Sequence, residues 1–261
     1  MAVRVSRLRA LLDSTPLADI ALTFMRDATG RTDPIEPLRP TRPAALPARR
    51  RVAFWSLVGG VGTSTTAALV AHRSAAGGAP PLLVDLDRWA PSLALRARIE
   101  AATIADALIQ PGREAELVSR WSSVAFLPGS PALRGRVDAE RAVDLLGRIA
   151  GSAPLVLDLG TGADALDPAI ASTLDRLCVV TGPRASQLQG VFCAMPLIRD
   201  LPCAAGLVVV GAADDDASLI ASRVGVPLVG AVPVDSYLAN DDFATRAPTL
   251  RAIDALIRAI S

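Results

Sequence analysis

Between Phe54 and Val70 the chain has the sequence FWSLVGGVGTSTTAALV. An apolar run from Val52 to Val58 ends at a glycine-rich turn, and a Thr/Ser cluster then opens a segment of helical composition. The predicted order is therefore strand, loop, helix. Glycines let the backbone turn several N–H groups toward one point, and the start of a helix adds unpaired N–H groups and a positive dipole end. The stretch predicts a phosphate-binding loop.

This loop departs from the usual phosphate-loop pattern G-x-x-x-x-G-K-[ST]. When the pattern is aligned on Gly62 and Ser64, Leu57 replaces its first glycine and Thr63 replaces its lysine. All 27 basic residues of the chain are arginine, but a bias against lysine would more readily supply arginine than threonine at position 63. The alternative interpretation is an ordinary glycine turn with Thr63 or Ser64 as a helix N-cap.

The composition is that of one α/β domain with an extension: 261 residues, 51% hydrophobic and 20% charged, with a net charge of +1. Such a charge gives no support for binding to nucleic acid or to an acidic membrane surface. Cys178, Cys193 and Cys203 have no metal-ligand spacing and are expected to be reduced thiols. No apolar run reaches the ~18 residues of a membrane span, and no signal-peptide core is recognisable, so the expected compartment is the cytoplasm.

Three segments are predicted along the chain. Residues 1–29 contain two short helix-like pieces and form an N-terminal extension, which either binds a partner or packs on the main domain. Residues 30–50 carry prolines at positions 34, 37, 40, 43 and 47 with arginines between them, a composition typical of an extended linker. Residues 51–261 form the main domain.

Apolar runs alternate with helical stretches through the main domain. Most of these runs are continuous, as expected of strands buried on both faces, and the segments between them are long enough for crossover helices. We predict a mostly parallel, doubly wound sheet of about seven strands with helices on both faces, which binds its ligand at the carboxyl ends of the strands. The predicted strands are Val52–Val58, Leu82–Leu86, Val124–Leu127, Leu155–Leu159, Leu177–Val180, Leu207–Val210 and Leu228–Val232.

Carboxylates follow two of these runs. The second strand ends in LLVDLD, with Asp85 and Asp87, and the fourth ends in LVLDLGTG, with Asp158. Apolar residues followed by an aspartate form the Walker B pattern, whose carboxylate holds Mg²⁺ directly or through water. Two such endings beside a phosphate-binding loop favour a magnesium site.

Together these motifs resemble the MinD/ParA class of deviant-Walker ATPases, over residues 51–261 and in the order of that class. The matching segments are GGVG with its hydroxyls, LLVDLD, LVLDLGTG, LCVVTGP and GVPLVGAVPVDSYLANDDF. The class has the loop K-G-G-x-G-K-[ST]-T, whose first, signature lysine reaches the partner subunit's nucleotide in an ATP-sandwich dimer. Val58 and Thr63 stand at the two lysine positions here.

Within the class, the loop R-G-G-V-G-A-S-T belongs to the CpaE/TadZ branch, the localisation factors of Tad-type pilus and secretion systems. GGVGTST is similar to it in lacking the Walker lysine and in placing Ser-Thr next. The chain departs from the branch in having Val58 in place of its arginine and a short N-terminal extension in place of a receiver-like domain.

The resemblance implies a role for each matching residue. ATP or ADP would bind with Mg²⁺, and Asp87 and Asp158 would be the catalytic carboxylates, with Asp87 positioning the attacking water. The metal would be held by Ser64, Asp85 and Asp158. The phosphates would contact Gly59, Gly60, Val61, Gly62, Thr63, Ser64, Thr65 and Thr66, and the base would lie near Gly211, Pro233, Val234 and Asp235. The family commonly has asparagine where Gly211 stands.

The function implied is a degenerate nucleotide-binding switch that forms a homodimer and positions a pilus, secretion or cell-division apparatus. Its partners would be protein components of that apparatus, which would recruit it to a pole or to the inner face of the membrane. Because a cationic contact to the transferred phosphoryl group can be worth ~10³-fold or more, hydrolysis is expected to be absent or very slow. Two arginines are candidates for the missing charge. One is Arg88, which follows the DxD motif Asp85-Leu86-Asp87, and the other is an arginine of another subunit.

Other functions stay open. The chain could be a scaffold of the same fold that binds no nucleotide, or a slow ATPase of chromosome or plasmid partitioning. A dinucleotide-dependent oxidoreductase would need G-x-G-x-x-G, and Thr65 stands at its third glycine. The amphipathic segment from Leu250 to Ile260 either covers the sheet or attaches to a membrane.

Overall fold

A computed structural model describes residues 42–131, 138–238 and 245–261. The predicted extension over residues 1–29 and the linker up to residue 41 lie outside these ranges. One sheet of eight strands crosses the described domain, in the order β3-β4-β2-β5-β1-β6-β7-β8. The strands are β1 (Arg51–Ser56), β2 (Leu82–Asp85), β3 (Ser119–Trp121), β4 (Val124–Leu127), β5 (Leu155–Thr161), β6 (Arg176–Thr181), β7 (Ala205–Val210) and β8 (Leu228–Val232).

All neighbouring strands pair in parallel except β3, which pairs antiparallel with β4 at one edge. The predicted parallel α/β sheet is confirmed, and β3 is the strand that the prediction omitted. Its three residues, Ser-Arg-Trp, are too few and too polar to form an apolar run. An edge strand needs apolar packing on only part of its surface, so hydrophobic patterning alone does not find it.

Helices cover both faces of the sheet. One layer contains α1 (Thr63–Ala76), α2 (Leu93–Ala97) and α8 (Ala247–Ile260), and their buried side chains join one core cluster. The opposite layer contributes to a second cluster. Its helices are α3 (Ile104–Ile109), α4 (Ala139–Ala150), α5 (Pro168–Ala171), α6 (Ala185–Arg199) and α7 (Asp214–Val224), with short 3₁₀ turns at Glu114–Leu117 and Ala163–Ala165.

The central strand β1 is apolar on both faces because both faces are covered. Val52 and Phe54 belong to the core under α1 and α8, whereas Ala53 and Trp55 belong to the opposite core. All four side chains are fully buried. Burial on both sides explains why the apolar run in the sequence is continuous. Because β1 lies in the middle of the sheet, the loop that follows it also lies there.

The last helix, α8, lies on the sheet. Ile253, Leu256, Ile257 and Ile260 are completely buried in the core that α8 shares with α1. Of the two roles considered for this segment, packing on the sheet is the one observed. No helix in the described ranges is both long enough and apolar enough to cross a membrane.

Residues 42–50, the described end of the predicted linker, pack on the domain. Leu46 is 2% exposed, and its N–H donates to the Ser74 hydroxyl. The Ala44 N–H donates to Asp254 of α8 at 2.8 Å. Asp254 also accepts two hydrogen bonds from Arg73 of α1, at 2.8 and 2.6 Å. A single buried carboxylate therefore joins this segment to two helices.

The Asp254 contacts predict a large stability effect. Burial opposes ionisation of Asp254, but the hydrogen bonds from Arg73 and Ala44 outweigh it and hold the pKa of the carboxyl below its usual value. We expect Asp254→Ala to lower the free energy of unfolding by about 3 kcal/mol in denaturant titrations at neutral pH, because Arg73 loses its buried partner. The contribution is present above the ordinary carboxyl pKa and is lost as the pH falls through the lowered value.

Glu116→Ala is the matched control. Its carboxylate also accepts from an arginine, Arg113, at 2.8 Å, but both side chains are more than 60% exposed. An exposed pair of this kind contributes at most about 0.5 kcal/mol. Equal losses in the two variants would contradict the role given to Asp254.

Candidate functional site

The glycine loop, residues 57–62, joins β1 to α1 at the carboxyl edge of the sheet. Gly60 (φ +75°) and Gly62 (φ +93°) adopt left-handed conformations that other residues adopt only with strain. Among the described residues, the N–H groups from Gly59 to Thr65 donate to no backbone carbonyl, and Thr66 is the first to do so, to Gly62 at 2.8 Å. The loop and the first turn of α1 thus present a run of donors suited to an anion.

Thr63, at the position of the Walker lysine, faces strand β1. It is 5% exposed, and its hydroxyl donates to Ser56 Oγ at 2.9 Å. Ser56 in turn donates to the Val58 carbonyl at 3.0 Å. These two bonds fix both ends of the glycine loop from the inside. The Thr63 side chain supports the loop, and only its backbone is available to a ligand.

Val58, at the position of the signature lysine, packs against its own domain. Gly190 of α6 lies under it, and a Cβ at position 190 would be 2.3 Å from Val58 Cγ2. Because residue 190 is a glycine, α6 leaves room for the Val58 side chain. An apolar side chain packed against the same subunit cannot make the charged contact that the resemblance assigns to this position.

The Walker-B-like carboxylates come together beside the glycine loop. Asp85 and Asp158 are register partners on β2 and β5, and both are completely buried. Asp158 Oδ1 accepts from the Gly160 N–H at 3.0 Å, whereas Oδ2 has no hydrogen-bond partner. An unpaired buried carboxylate oxygen is costly, so a ligand that engages it would be favoured.

Asp85 and Asp87 are held by backbone groups that follow β2. Asp85 accepts from the N–H groups of Asp87 (3.0 Å) and Leu93 (3.2 Å), so both of its oxygens are engaged. Asp87 Oδ1 accepts from the N–H groups of Trp89 and Ala90, each at 2.9 Å. A Cβ at position 160 would lie 2.3 Å from the Asp87 carboxylate, so this carboxylate packs directly against Gly160. Asp85 thus shapes the segment that carries Asp87.

Burial raises the pKa of Asp158 to about 6, although the nearby Ser64 hydroxyl and the Gly160 N–H act in the opposite direction. The negative charge of Asp87 raises the pKa further, and the positive charge of Arg96 lowers it. Burial also raises the pKa of Asp85 well above its ordinary value, and the charge of Asp158 adds to the shift. Both carboxyl groups are therefore harder to ionise than an exposed aspartate.

Arg96 is the site residue that the sequence analysis missed. It lies on α2, is half-buried, and donates from Nη1 to the Thr65 hydroxyl in the first turn of α1. No spacing rule connects position 96 to the loop, and only the fold brings α2 next to α1. The arginine singled out from the sequence was Arg88.

A second group of predicted residues lies on the other side of the loop. Gly211 (φ +85°) follows β7, and a Cβ there would be 3.0 Å from Val234 Cγ2. The preceding residue, Val210, lies 3.6 Å from the position that a Cβ would take at Gly62. Pro233 precedes Val234 directly after β8. The structure therefore brings Gly211, Pro233 and Val234 to the edge of the sheet that carries the glycine loop.

Asp235, the last of this group, is engaged in a turn. It is 6% exposed and accepts from the N–H groups of Tyr237 (3.1 Å) and Arg246 (2.7 Å) and from the Thr249 hydroxyl (2.9 Å). These bonds hold the start of α8 against the end of β8. Asp235 shapes the turn around Val234, and its oxygens are occupied by protein donors.

The available ligands fit a phosphate-bound magnesium ion. In the described ranges no three His, Cys, Asp or Glu residues are grouped as a metal centre. A magnesium ion at a phosphate loop does not need such a group, since it takes one hydroxyl, a carboxylate and waters together with the phosphates. The Ser64 hydroxyl and the Asp158 carboxylate are groups of the kinds that such an ion takes.

No family model matches the sequence, and no curated protein matches it significantly. Solved structures match over most of the chain. A ParA family ATPase from Chlorobium tepidum TLS is 20% identical, with a TM-score of 0.69 over 81% of this chain and 99% of that one. The Pyrococcus horikoshii septum site-determining protein MinD, complexed with Mg-ADP, is 19% identical, with a TM-score of 0.66 over 80% and 94%.

The MinC:MinD cell division complex of Aquifex aeolicus contains a chain that is 17% identical to this one, with a TM-score of 0.66 over 80% of this chain and 94% of that one. At these identities the likeness establishes the architecture. The chain has the fold of the MinD- and ParA-type phosphate-loop ATPases.

Because the pKa of Asp158 is raised, we expect the folded protein to become more stable when this residue is replaced by a neutral one, by an amount that depends on pH. Because the folded protein holds this proton more tightly than the unfolded chain, stability is lost as the pH rises from the ordinary carboxyl value toward 6. We expect Asp158→Asn to raise the thermal midpoint of the nucleotide-free protein at pH 7.5 and to raise it less at pH 4.5. A gain that does not depend on pH would contradict this explanation.

Proposed function

We propose that this chain is a nucleotide-binding switch of the MinD/ParA fold, in which residues 59–66 hold the phosphates of ATP or ADP together with Mg²⁺. The observation that carries the proposal is the run of N–H groups from Gly59 to Thr65 without a backbone acceptor, beside a buried Asp158 oxygen without a partner. An anion and a cation bound together would satisfy both sets of atoms. Magnesium nucleotide is a ligand of that kind.

The geometry supports a separate role for each carboxylate. Asp158, with its unpartnered oxygen and the Ser64 hydroxyl nearby, would hold the metal directly or through water. Asp87, fixed against Gly160, would face the phosphate side and position a water. Asp85, whose oxygens both accept backbone N–H groups, would support these two by ordering the segment between them. Magnesium, when bound, would supply charge neutralisation at the phosphates.

The base of the nucleotide would lie against Gly211, Pro233 and Val234. Val234 is 73% exposed, so its apolar surface is available to a planar ring. Gly211 has no side chain with which to contact the base edge, and Asp235 is occupied in its own turn. Recognition at these positions would therefore depend on stacking and shape, and selectivity between bases would be weak.

The proposed biological role is that of the CpaE/TadZ branch. GGVGTST lacks the Walker lysine as that branch does, and the chain would act as a nucleotide-dependent homodimer that positions a pilus or secretion apparatus. Structural neighbours of this fold include a cell division protein and a putative plasmid partition protein, so a partitioning function is the second candidate. The net charge of +1 gives that candidate no additional support.

Slow hydrolysis follows from the same residues. The Thr63 hydroxyl is hydrogen-bonded to Ser56 of β1, and the Val58 side chain packs on α6. Neither position therefore supplies a cation to the transferred phosphoryl group. We expect phosphate release from Mg-ATP to be at least about 10²-fold slower than that of a lysine-containing ParA measured in parallel. Equal rates would contradict this expectation.

A matched pair of glycine variants tests nucleotide binding. Gly60→Val places a branched side chain in the glycine loop at φ +75°, and Gly78→Val places one in the turn after α1 at φ +95°. Neither position has another atom within 4 Å of the added Cβ, so the two variants carry similar backbone strain. We expect Gly60→Val to weaken Mg-ATP binding at least tenfold in calorimetry and Gly78→Val to leave it unchanged.

The same experiment separates the switch from a scaffold. If the unaltered chain binds neither ATP nor ADP with Mg²⁺, the scaffold function is supported and the switch is wrong. If both glycine variants lose affinity equally, the loss reflects strain and the glycine loop is not the binding element. Thermal midpoints of both variants without nucleotide measure that strain directly.

A further inference from the structure

We propose that Trp89 and Asp164 are positioning residues for Asp87 and hold its carboxylate against Gly160, the place from which it orders the attacking water. This inference rests on the proposed function, in which Asp87 positions that water. The Trp89 indole N–H donates to Asp164 Oδ2 at 3.0 Å, across 75 positions of the sequence. The bond joins the segment that follows β2 to the segment that follows β5.

The two oxygens of the Asp87 carboxylate have different surroundings. Oδ1 accepts from the N–H groups of Trp89 and Ala90, each at 2.9 Å. Oδ2 lies 2.3 Å from the position that a Cβ would take at Gly160, and no donor of the described residues is bonded to it. Oδ2 is therefore the oxygen that is left for a water.

The bonds to Oδ1 lie within one turn, residues 87–90, and order the carboxylate only relative to its own backbone. Two other bonds fix this turn relative to β5. On one side, the Leu86 N–H donates to the Asp158 carbonyl at 2.7 Å. On the other side, the Trp89 indole donates to Asp164. The turn is therefore bonded at both ends to β5 and to the residues that follow β5.

The acceptor of the indole is fixed in turn to the central strand. Asp164 lies in the 3₁₀ turn Ala163–Ala165, and its Oδ1 would be 2.9 Å from a Cβ at Gly162, which has φ +100°. The Gly162 carbonyl accepts from the Trp55 indole at 2.8 Å, and its N–H donates to the Ser56 carbonyl at 3.1 Å. Ser56 also supports the glycine loop, so the acceptor and the loop are tied to the same residue of β1.

Exposure makes the indole bond a weak source of stability. The Trp89 side chain is 58% exposed, and Asp164 is exposed as well. The net contribution of one exposed hydrogen bond to folding is small. Its removal therefore leaves the fold and the phosphate-binding loop in place but allows the turn at residues 87–90 to leave its position more often.

The step that depends on this position is the attack of water on ATP. The water oxygen forms a bond to the γ-phosphorus, the bond from phosphorus to the bridging oxygen of ADP breaks, and a proton of the water leaves with the released phosphate. A carboxylate that accepts a hydrogen bond from the water aligns it for this attack, and a misplaced carboxylate slows the step without weakening the binding of the nucleotide.

A set of single substitutions tests this role. Trp89→Phe keeps an aromatic ring but removes the indole N–H, and Asp164→Ala removes the acceptor. Asp164→Asn removes the charge but keeps an oxygen that can accept, so it is the conservative variant. Asp87→Asn gives the rate that remains without the carboxylate. Asp200→Ala removes an exposed carboxylate at the end of α6 and is the matched control.

Phosphate release is measured in single turnovers, with the protein in excess and above its dissociation constant for Mg-ATP. We expect Trp89→Phe and Asp164→Ala to lower the rate by about threefold to tenfold toward that of Asp87→Asn, the effect of one lost hydrogen bond. The double variant should be no slower than either single variant, because both remove the same bond. Asp164→Asn should retain most of the rate and Asp200→Ala all of it. Calorimetric affinity for Mg-ATP and the thermal midpoint should stay nearly unchanged in each of these variants.

Three results would overturn the inference while nucleotide binding stands. The first is phosphate release by Trp89→Phe as fast as that of the unaltered chain. The second is a lowered rate accompanied by an equal loss of affinity or by a lowered thermal midpoint, which shows a structural role. The third is an unaltered chain that binds Mg-ATP but releases phosphate no faster than Asp87→Asn. Failure of the unaltered chain to bind Mg-ATP overturns the proposed function and the inference together.

Discussion

The hydrogen bond from Thr63 to Ser56 fixes the geometry on which the rest of this site depends. It closes the glycine loop across its base, and the bond from Ser56 to the Val58 carbonyl holds the other end. With both ends fixed to β1, the residues between them keep their N–H groups off the protein's own acceptors. A loop that must present unpaired donors in the absence of ligand needs support from behind, and here hydroxyl groups provide it.

The carboxylate side of the site is built on a different principle. Asp85 and Asp158 are forced together by strand pairing, and burial penalises the charge of both. Two backbone donors offset part of the penalty at Asp85, whereas Asp158 leaves one oxygen unsatisfied. The unsatisfied oxygen belongs to the carboxylate that also has the Ser64 hydroxyl nearby. Such asymmetry is expected where a ligand completes the site and is hard to explain in a purely structural cluster.

Sequence patterns predicted the parts of this protein that depend on local chemistry. The apolar run before Gly59, the helix after Gly62 and the carboxylates after β2 and β5 all follow from periodicity and turn chemistry. The antiparallel strand at Ser119–Trp121 does not, because three residues at the sheet edge are too few to show a pattern. Nor do the contacts of Val58 with Gly190 and of Arg96 with Thr65, since each joins segments that only the tertiary fold brings together.

The side chain at position 63 serves the glycine loop itself. A lysine at position 63 would need a partly exposed path to the ligand, whereas Thr63 is buried and bonded to β1. Once that position serves the loop's own stability, any cation for the ligand has to come from outside the loop. Helix α2 begins next to the segment Asp85-Leu86-Asp87 and is joined to it by the hydrogen bond from the Leu93 N–H to Asp85, so a change at these carboxylates would also move α2.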